Sequence, residues 1–196
     1  MIPEFIYKIF LWASFPLASA TFITLLFVTA PYGRHERRGW GLSISNRLGW
    51  ILMESPSAVL FFLIFLIGSV SRNLTGFTFL LMWEAHYVHR AFIYPFQITD
   101  GKKSIPIIIM LMGIFFNLGN AYINASYIYE FSGGYPQSWL SQPRMIIGIA
   151  IFVAGFGINR LSDRTLRSLR THSGEDYQIP YGGLFHFVSC PNYLGE

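Results

Sequence analysis

The most constraining stretch of this sequence is Trp50-Ile-Leu-Met-Glu-Ser-Pro56, which sets Glu54 inside a run, residues 48–71, that carries no other charge. A bilayer crossing takes about 20 apolar residues, and this run is long enough. An ionisable group at that depth costs roughly 2.5 to 3.5 kcal/mol on insertion scales, so such a group faces a bundle interior and marks a site. Pro56 lacks an N–H, which predicts a kink and leaves the carbonyl of Leu52 without its helical donor. Trp50, one turn before Glu54, shares its face. The expectation is a bent membrane helix that turns an acid and an indole toward a cavity.

The rest of the chain supports a membrane class. Of its 196 residues 53% are hydrophobic and 12% charged, against about 25% charged in a soluble domain. One cysteine, Cys190, excludes an internal disulfide and a four-cysteine metal site. The first apolar run, residues 9–33, follows Glu4 and Lys8 and lacks a basic leader or cleavage signature, so it reads as a retained anchor. Further crossings are predicted at about 77–96, 105–129 and 145–161, with Ser104 as N-cap and Pro106 in the first turn of the fourth. The expected architecture is all-α: a polytopic helix bundle of at least five spans plus an incomplete C-terminal portion, in one domain covering residues 1–196.

Five crossings put the basic residues on opposite sides unequally. Arg34, Arg37, Arg38, Arg47, Lys102, Lys103, Arg160, Arg164, Arg167 and Arg170 fall on one side, and Lys8, Arg72 and Arg144 on the other. The positive-inside rule makes the first side cytoplasmic and the N-terminus external or lumenal. The membrane would be the endoplasmic reticulum in a eukaryote and the inner membrane in a bacterium. Aromatic content of 18% follows from spans and interface belts, so nucleic-acid binding is rejected. Membrane lipids are the expected surroundings, and a monomer the expected state. Asn73-Leu-Thr75 is a glycosylation sequon on the predicted outer side.

Three polar stripes run along the predicted helices. In the third span Trp83, Tyr87, Arg90 and Tyr94 share a face, flanked by His86 and His89. Should this face meet Glu54, a phenol supported by an acid in a dry site could polarise a ligand carbonyl. The competing reading is a structural Glu54–Arg90 pair. The histidines, without cysteine or acidic companions, fit a hydrogen bond to a neighbouring helix better than a metal. A second stripe, Asn159, Asp163, Arg167 and Arg170, could take ribose or amide hydrogen bonds on the carboxylate and phosphates on the guanidinium groups. Its plainer reading is a helix ion pair and lipid-headgroup contact. The third stripe, Gly113, Asn117, Asn120 and Asn124, reads as interhelical glue. The usual glycine fingerprints for nucleotides, G-x-G-x-x-G and G-x-x-x-x-G-K-[ST], are absent.

Taken together, several blocks resemble the membrane steroid 5α-reductases. These are Tyr32-Gly-Arg-His35, Leu52-Met-Glu-Ser-Pro56, His86-Tyr-Val-His-Arg90, Gly157-Ile-Asn-Arg-Leu-Ser-Asp163, Ile179-Pro-Tyr-Gly-Gly-Leu-Phe185 and Asn192-Tyr-Leu-Gly-Glu196. The resemblance implies NADPH-dependent reduction of the C4–C5 double bond of a 3-oxo-Δ4 steroid, by hydride transfer to C5 and proton uptake at C4. It implies Glu54 and Tyr87 as the catalytic pair at the 3-keto oxygen, with Trp50 and Met53 beside the substrate. For NADPH it implies Asn159, Asp163, Arg170, Tyr177 and Asn192, with Tyr32, Tyr94, Lys102, Arg167 and Glu196 as further contacts. Met53 stands where the vertebrate enzymes carry Gln, which removes one possible hydrogen bond to the ketone. The family pattern continues past Glu196 with hydrophobic helix and a basic, aromatic tail, so the chain is expected to be truncated there. The alternatives are a related reductase of a polyprenol or enoyl thioester, and a non-catalytic lipid-binding membrane protein.

Overall fold

The computed structural model describes residues 2–29, 39–70, 72–98, 103–172 and 178–196, the side chains of 170–172 excepted. The chain divides into two compact units, Met1–Gln137 and Ser138–Glu196.

The first unit is built on α1 (Glu4–Phe27), α2 (Asn46–Ile67), α3 (Leu74–Val88) and α5 (Ile107–Ser126). Helix α1 buries none of its residues, and Trp12, Phe22 and Phe27 lie open along it. A helix apolar on every side, with 24 residues rising about 1.5 Å each, is matched to hydrocarbon rather than water. Helix α2 starts at Ser45, whose hydroxyl accepts from the Leu48 amide at 3.4 Å. It stays helical through Pro56 to Ile67. After α3 the chain passes through a π-helical turn, His89–Ile93, into the short α4, Tyr94–Gln97.

Two three-residue strands tie the helix starts together. β1 (Ser43–Ser45) pairs antiparallel with β2 (Ser104–Pro106), and Ser45 lies opposite Ser104. The expected N-cap role of Ser104 is therefore corrected: its backbone is spent on the ribbon, and α5 begins after Pro106. Gly49 abuts Ile105, Met53 abuts Gly113 and Gly68 abuts Tyr129, so α2 and α5 run parallel. Helix α3 runs the other way against α5, with Gly76 at Tyr129 and Tyr87 at Asn120. Where the three meet, Phe61, Ile64, Leu80, Ala121, Ala125 and Tyr129 form the buried core. Phe61 stacks on Trp83 with ring centres 4.3 Å apart and meets the Tyr129 ring edge-on at 5.7 Å.

A 3-10 turn at Gln137–Ser141 leads into α6 (Pro143–His172) of the second unit, which stays helical well past residue 161, where the apolar crossing was expected to end. A further 3-10 turn, Gly183–His186, precedes the short α7, Pro191–Leu194. Helix α7 packs onto α6, and Pro191 is fully buried.

The structure is thus an all-α polytopic bundle. Among the described residues four helical stretches have the length and apolarity to cross a membrane: Glu4–Phe27, Asn46–Ile67, Ile107–Phe131 and Pro143–Leu169. The other expected crossing is helical from Leu74 to Gln97 without a break. It carries Glu84, His86, His89 and Arg90, which lower its apolarity. The sequon is structurally engaged. The Asn73 amide donates to the Tyr135 carbonyl at 2.6 Å while its oxygen caps α3 at Gly76, and Thr75 is fully buried with its hydroxyl on Pro136.

Candidate functional site

In the first unit Arg90 of the π-helical turn and Asn117 of α5 converge on Glu54 of α2. The residue is buried, at 8% exposure, on the inner face of α2. One carboxylate oxygen lies 3.6 Å from Arg90 Nε, and the other accepts from the Asn117 amide at 3.2 Å. That amide also donates to the Met53 carbonyl at 2.8 Å. An α5 side chain thus serves the backbone beside the acid, one residue beyond the Leu52 carbonyl expected to need a donor. Asn117 is itself 5% exposed, so these bonds form away from water, where an unmet polar group is costly.

Arg90 is buried and lies against a corner formed by two rings. Its guanidinium carbon lies 4.6 Å from the Trp50 ring centre and 5.1 Å from that of Tyr94. Trp50 and Tyr94 meet edge-on at 5.3 Å. Arg90 belongs to the π-helical turn, a local widening often found at functional positions, and Tyr94 follows it directly. The pairing of Glu54 with Arg90, foreseen as one of two readings, is present.

Tyr87 stands on the same face of α3. Its ring stacks on Trp83 at 4.8 Å, and the Trp83 indole donates to the Ser57 carbonyl at 3.2 Å. The phenolic oxygen accepts from the Asn120 amide at 2.9 Å. Asn124 in turn donates to Asn120 Oδ1 at 3.0 Å. The acid and the phenol are therefore each held by an asparagine of α5, and these two amides lie nearly one turn apart. Sequence reasoning assigned them only to interhelical glue. The signal was there in their spacing with Gly113, but it names no partner.

In the second unit Asn159 and Asp163 are buried one turn apart on α6, at 5% and 4% exposure. The Asn159 amide donates to the Asn192 carbonyl at 3.0 Å and to the Glu196 carboxylate at 3.2 Å. The close fit of α7 needs glycine at both contact points. A Cβ on Gly195 would strike the Gly155 carbonyl and lie 2.6 Å from the Asn159 backbone nitrogen. Arg167 follows one turn after Asp163 and is partly buried. Arg170 lies in α6 with its side chain outside the described residues, as do Tyr32, Lys102 and Tyr177 entirely. Of the expected dinucleotide contacts, Asn159, Asn192 and Glu196 are joined directly, Asp163 and Arg167 share the α6 face, and Tyr94 belongs to the Trp50–Arg90 group.

Comparison with known proteins bears on what these groups are for. A family model described as 3-oxo-5-alpha-steroid 4-dehydrogenase matches residues 103–196. The cotton (Gossypium hirsutum) protein named steroid 5-alpha-reductase DET2 is 38% identical over 183 residues, which cover 92% of this chain and 71% of the relative. Its Arabidopsis thaliana counterpart is 39% identical over 181 residues, covering 90% and 69%. The chain belongs to the steroid 5-alpha-reductase family. A bovine relative, 3-oxo-5-alpha-steroid 4-dehydrogenase 1, is 34% identical over 184 residues, covering 92% and 71%. The alignments reach about nine-tenths of the chain.

Proposed function

We propose that this protein reduces the C4–C5 double bond of 3-oxo-Δ4 steroids with NADPH, Glu54 and Tyr87 acting at the 3-keto oxygen. The observation that carries this reading is a buried carboxylate held by Arg90 and Asn117, with the Tyr87 phenol held by Asn120 of the same helix. Asn120 donates to the phenolic oxygen and so fixes where the phenol stands. Negative charge gathers on the ketone oxygen as C5 becomes electron-poor and is attacked. A preorganised donor in a site shielded from water stabilises that charge more than bulk solvent does. Glu54 in turn supports the donor.

The donor set on α6 fits a dinucleotide. Asp163 offers a carboxylate to ribose hydroxyls or an amide, and Asn159, Asn192 and Glu196 form a linked polar group beside it. Arg167, with Arg170, supplies the fork geometry that matches phosphate. When bound, the nicotinamide supplies the hydride. The excess of basic residues on the side read as cytoplasmic favours entry of an anionic cofactor from there.

The test is turnover of testosterone and progesterone by protein in lipid nanodiscs, followed by NADPH consumption and by mass spectrometry of the steroid. A 5α-reduced product is expected. Glu54→Gln and Tyr87→Phe should each lose at least a hundredfold in kcat while NADPH still binds. Turnover of an enoyl lipid or polyprenol with no steroid product would overturn the substrate assignment, and near-normal turnover in either variant would overturn the mechanism.

A further inference from the structure

Helix α5 presents Gly113, Asn117 and Asn120 on one face, at i, i+4 and i+7. The two asparagines hold Glu54 and Tyr87, whereas Gly113 has no side chain with which to hold anything. What it offers is space. A Cβ built there would run into both Cγ and Sδ of Met53, the residue immediately before the acid. The thioether of Met53 therefore occupies the place a side chain at position 113 would take. One turn further along, the Asn117 amide reaches the Met53 carbonyl at 2.8 Å and the Glu54 carboxylate at 3.2 Å. Close approach of helices over a small residue is how membrane helices set their spacing.

Resting on the proposed steroid-reductase reading, we propose that Gly113 is a positioning residue for Glu54. By admitting the Met53 side chain between α2 and α5, it sets how near the acid comes to Asn117. The physical basis is distance. The Asn117–Glu54 bond is already near the long end for an amide donor, and a displacement of α2 by a few tenths of an ångström carries it past 3.5 Å, where it no longer counts as a hydrogen bond. Pushing Met53 back moves the backbone that carries Glu54, because the two are adjacent residues of one helix. Met is flexible and can turn aside in part, so the effect falls on placement of the acid more than on folding.

The experiment is a double-mutant cycle on nanodisc-embedded protein with Gly113→Ala, Met53→Ala and the combined variant. Gly113→Ala should lower kcat at least tenfold and leave the KM for NADPH unchanged. In the Met53→Ala background the same substitution should cost less than twofold, since the colliding atoms are gone. Equal losses in both backgrounds, or a kcat for Gly113→Ala within twofold of wild type, would overturn the inference. If Gly113→Ala does not fold, the combined variant decides: folded and active supports the inference, unfolded overturns it. A second readout does not depend on the substrate assignment. The infrared band of the Glu54 carboxyl, identified by its loss in Glu54→Gln, should shift in Gly113→Ala and return toward its Met53→Ala position in the combined variant. Absence of steroid turnover by the wild-type protein would defeat the functional reading alone, and the infrared cycle would then decide on Gly113. An unshifted band would refute the positioning role.

Discussion

Replacing Asn117 with Leu removes both amide bonds that α5 makes to the Met53–Glu54 segment while keeping a side chain of similar size. Two scales compete for the magnitude. A hydrogen bond to a charged group contributes about 1.5 to 3 kcal/mol in soluble proteins. Interhelical bonds in membrane bundles average about 0.6 kcal/mol and reach about 1.7. Glu54 keeps Arg90 at 3.6 Å, and its bond to Asn117 is long at 3.2 Å, so the lower end of the first scale applies. About 1.5 kcal/mol for the carboxylate and about 0.6 for the Met53 carbonyl make about 2 kcal/mol. Expressed wholly in the transition state, that is about 30-fold in kcat. If half is lost as stability instead, about fivefold remains. The expected result is a kcat lowered between about 5-fold and 30-fold, with NADPH affinity unchanged because the α6 donor set is untouched. Asn117→Asp keeps the shape but sets a second carboxylate against Glu54, and should cost more than Asn117→Leu. The assay is steady-state steroid reduction together with NADPH titration on the same preparations. A folded Asn117→Leu protein with kcat within twofold of wild type would refute the view that α5 holds the acid in place.

Arg90→Lys keeps the charge but loses the planar group set against the Trp50 and Tyr94 rings, and should lower both kcat and thermal stability; unchanged values for both would show that the ring contacts are incidental. Gly195→Ala drives a methyl into the α6 backbone, so it should weaken NADPH binding at least tenfold, measured by titration, with steroid binding retained. Asn73 should carry no glycan in a host with glycosylation machinery, because its amide nitrogen is committed to Tyr135 and its oxygen to Gly76. Gel mobility that changes on endoglycosidase treatment, and is fixed by Asn73→Gln, would contradict that.

Much of the bundle was legible in the residue order because a bilayer imposes a length and an apolarity that few other environments demand. The runs around α1, α2, α5 and the first part of α6 announce themselves in that way. Glu54 also stood out, since a lone carboxylate within such a run has no ordinary explanation. The stripe of Trp83, Tyr87, Arg90 and Tyr94 followed from helical spacing alone. The Ser104 cap was misread because local propensity cannot sense a strand partner sixty residues earlier in the chain. The apolar span of α6 was expected to end near residue 161 because residues 162–172 are mostly polar, whereas the helical spacing of Asn159, Asp163, Arg167 and Arg170 already pointed past it: hydropathy marks where a membrane helix leaves the apolar layer rather than where it stops being helical.

What the amino-acid order determined by itself is therefore the set of elements and the faces on which chemical groups lie. Which groups meet was decided only by tertiary structure. Whether Glu54 meets a guanidinium, an amide or neither agrees equally well with the same periodicity. Packing α2 parallel to α5 over Gly113, and α3 antiparallel to α5 through Asn120, brings Arg90 and Asn117 to the acid and Asn120 to the phenol. The reason is that spacing along one helix fixes direction about its own axis, whereas partnership depends on the separation and register of two helices, which no single helix encodes.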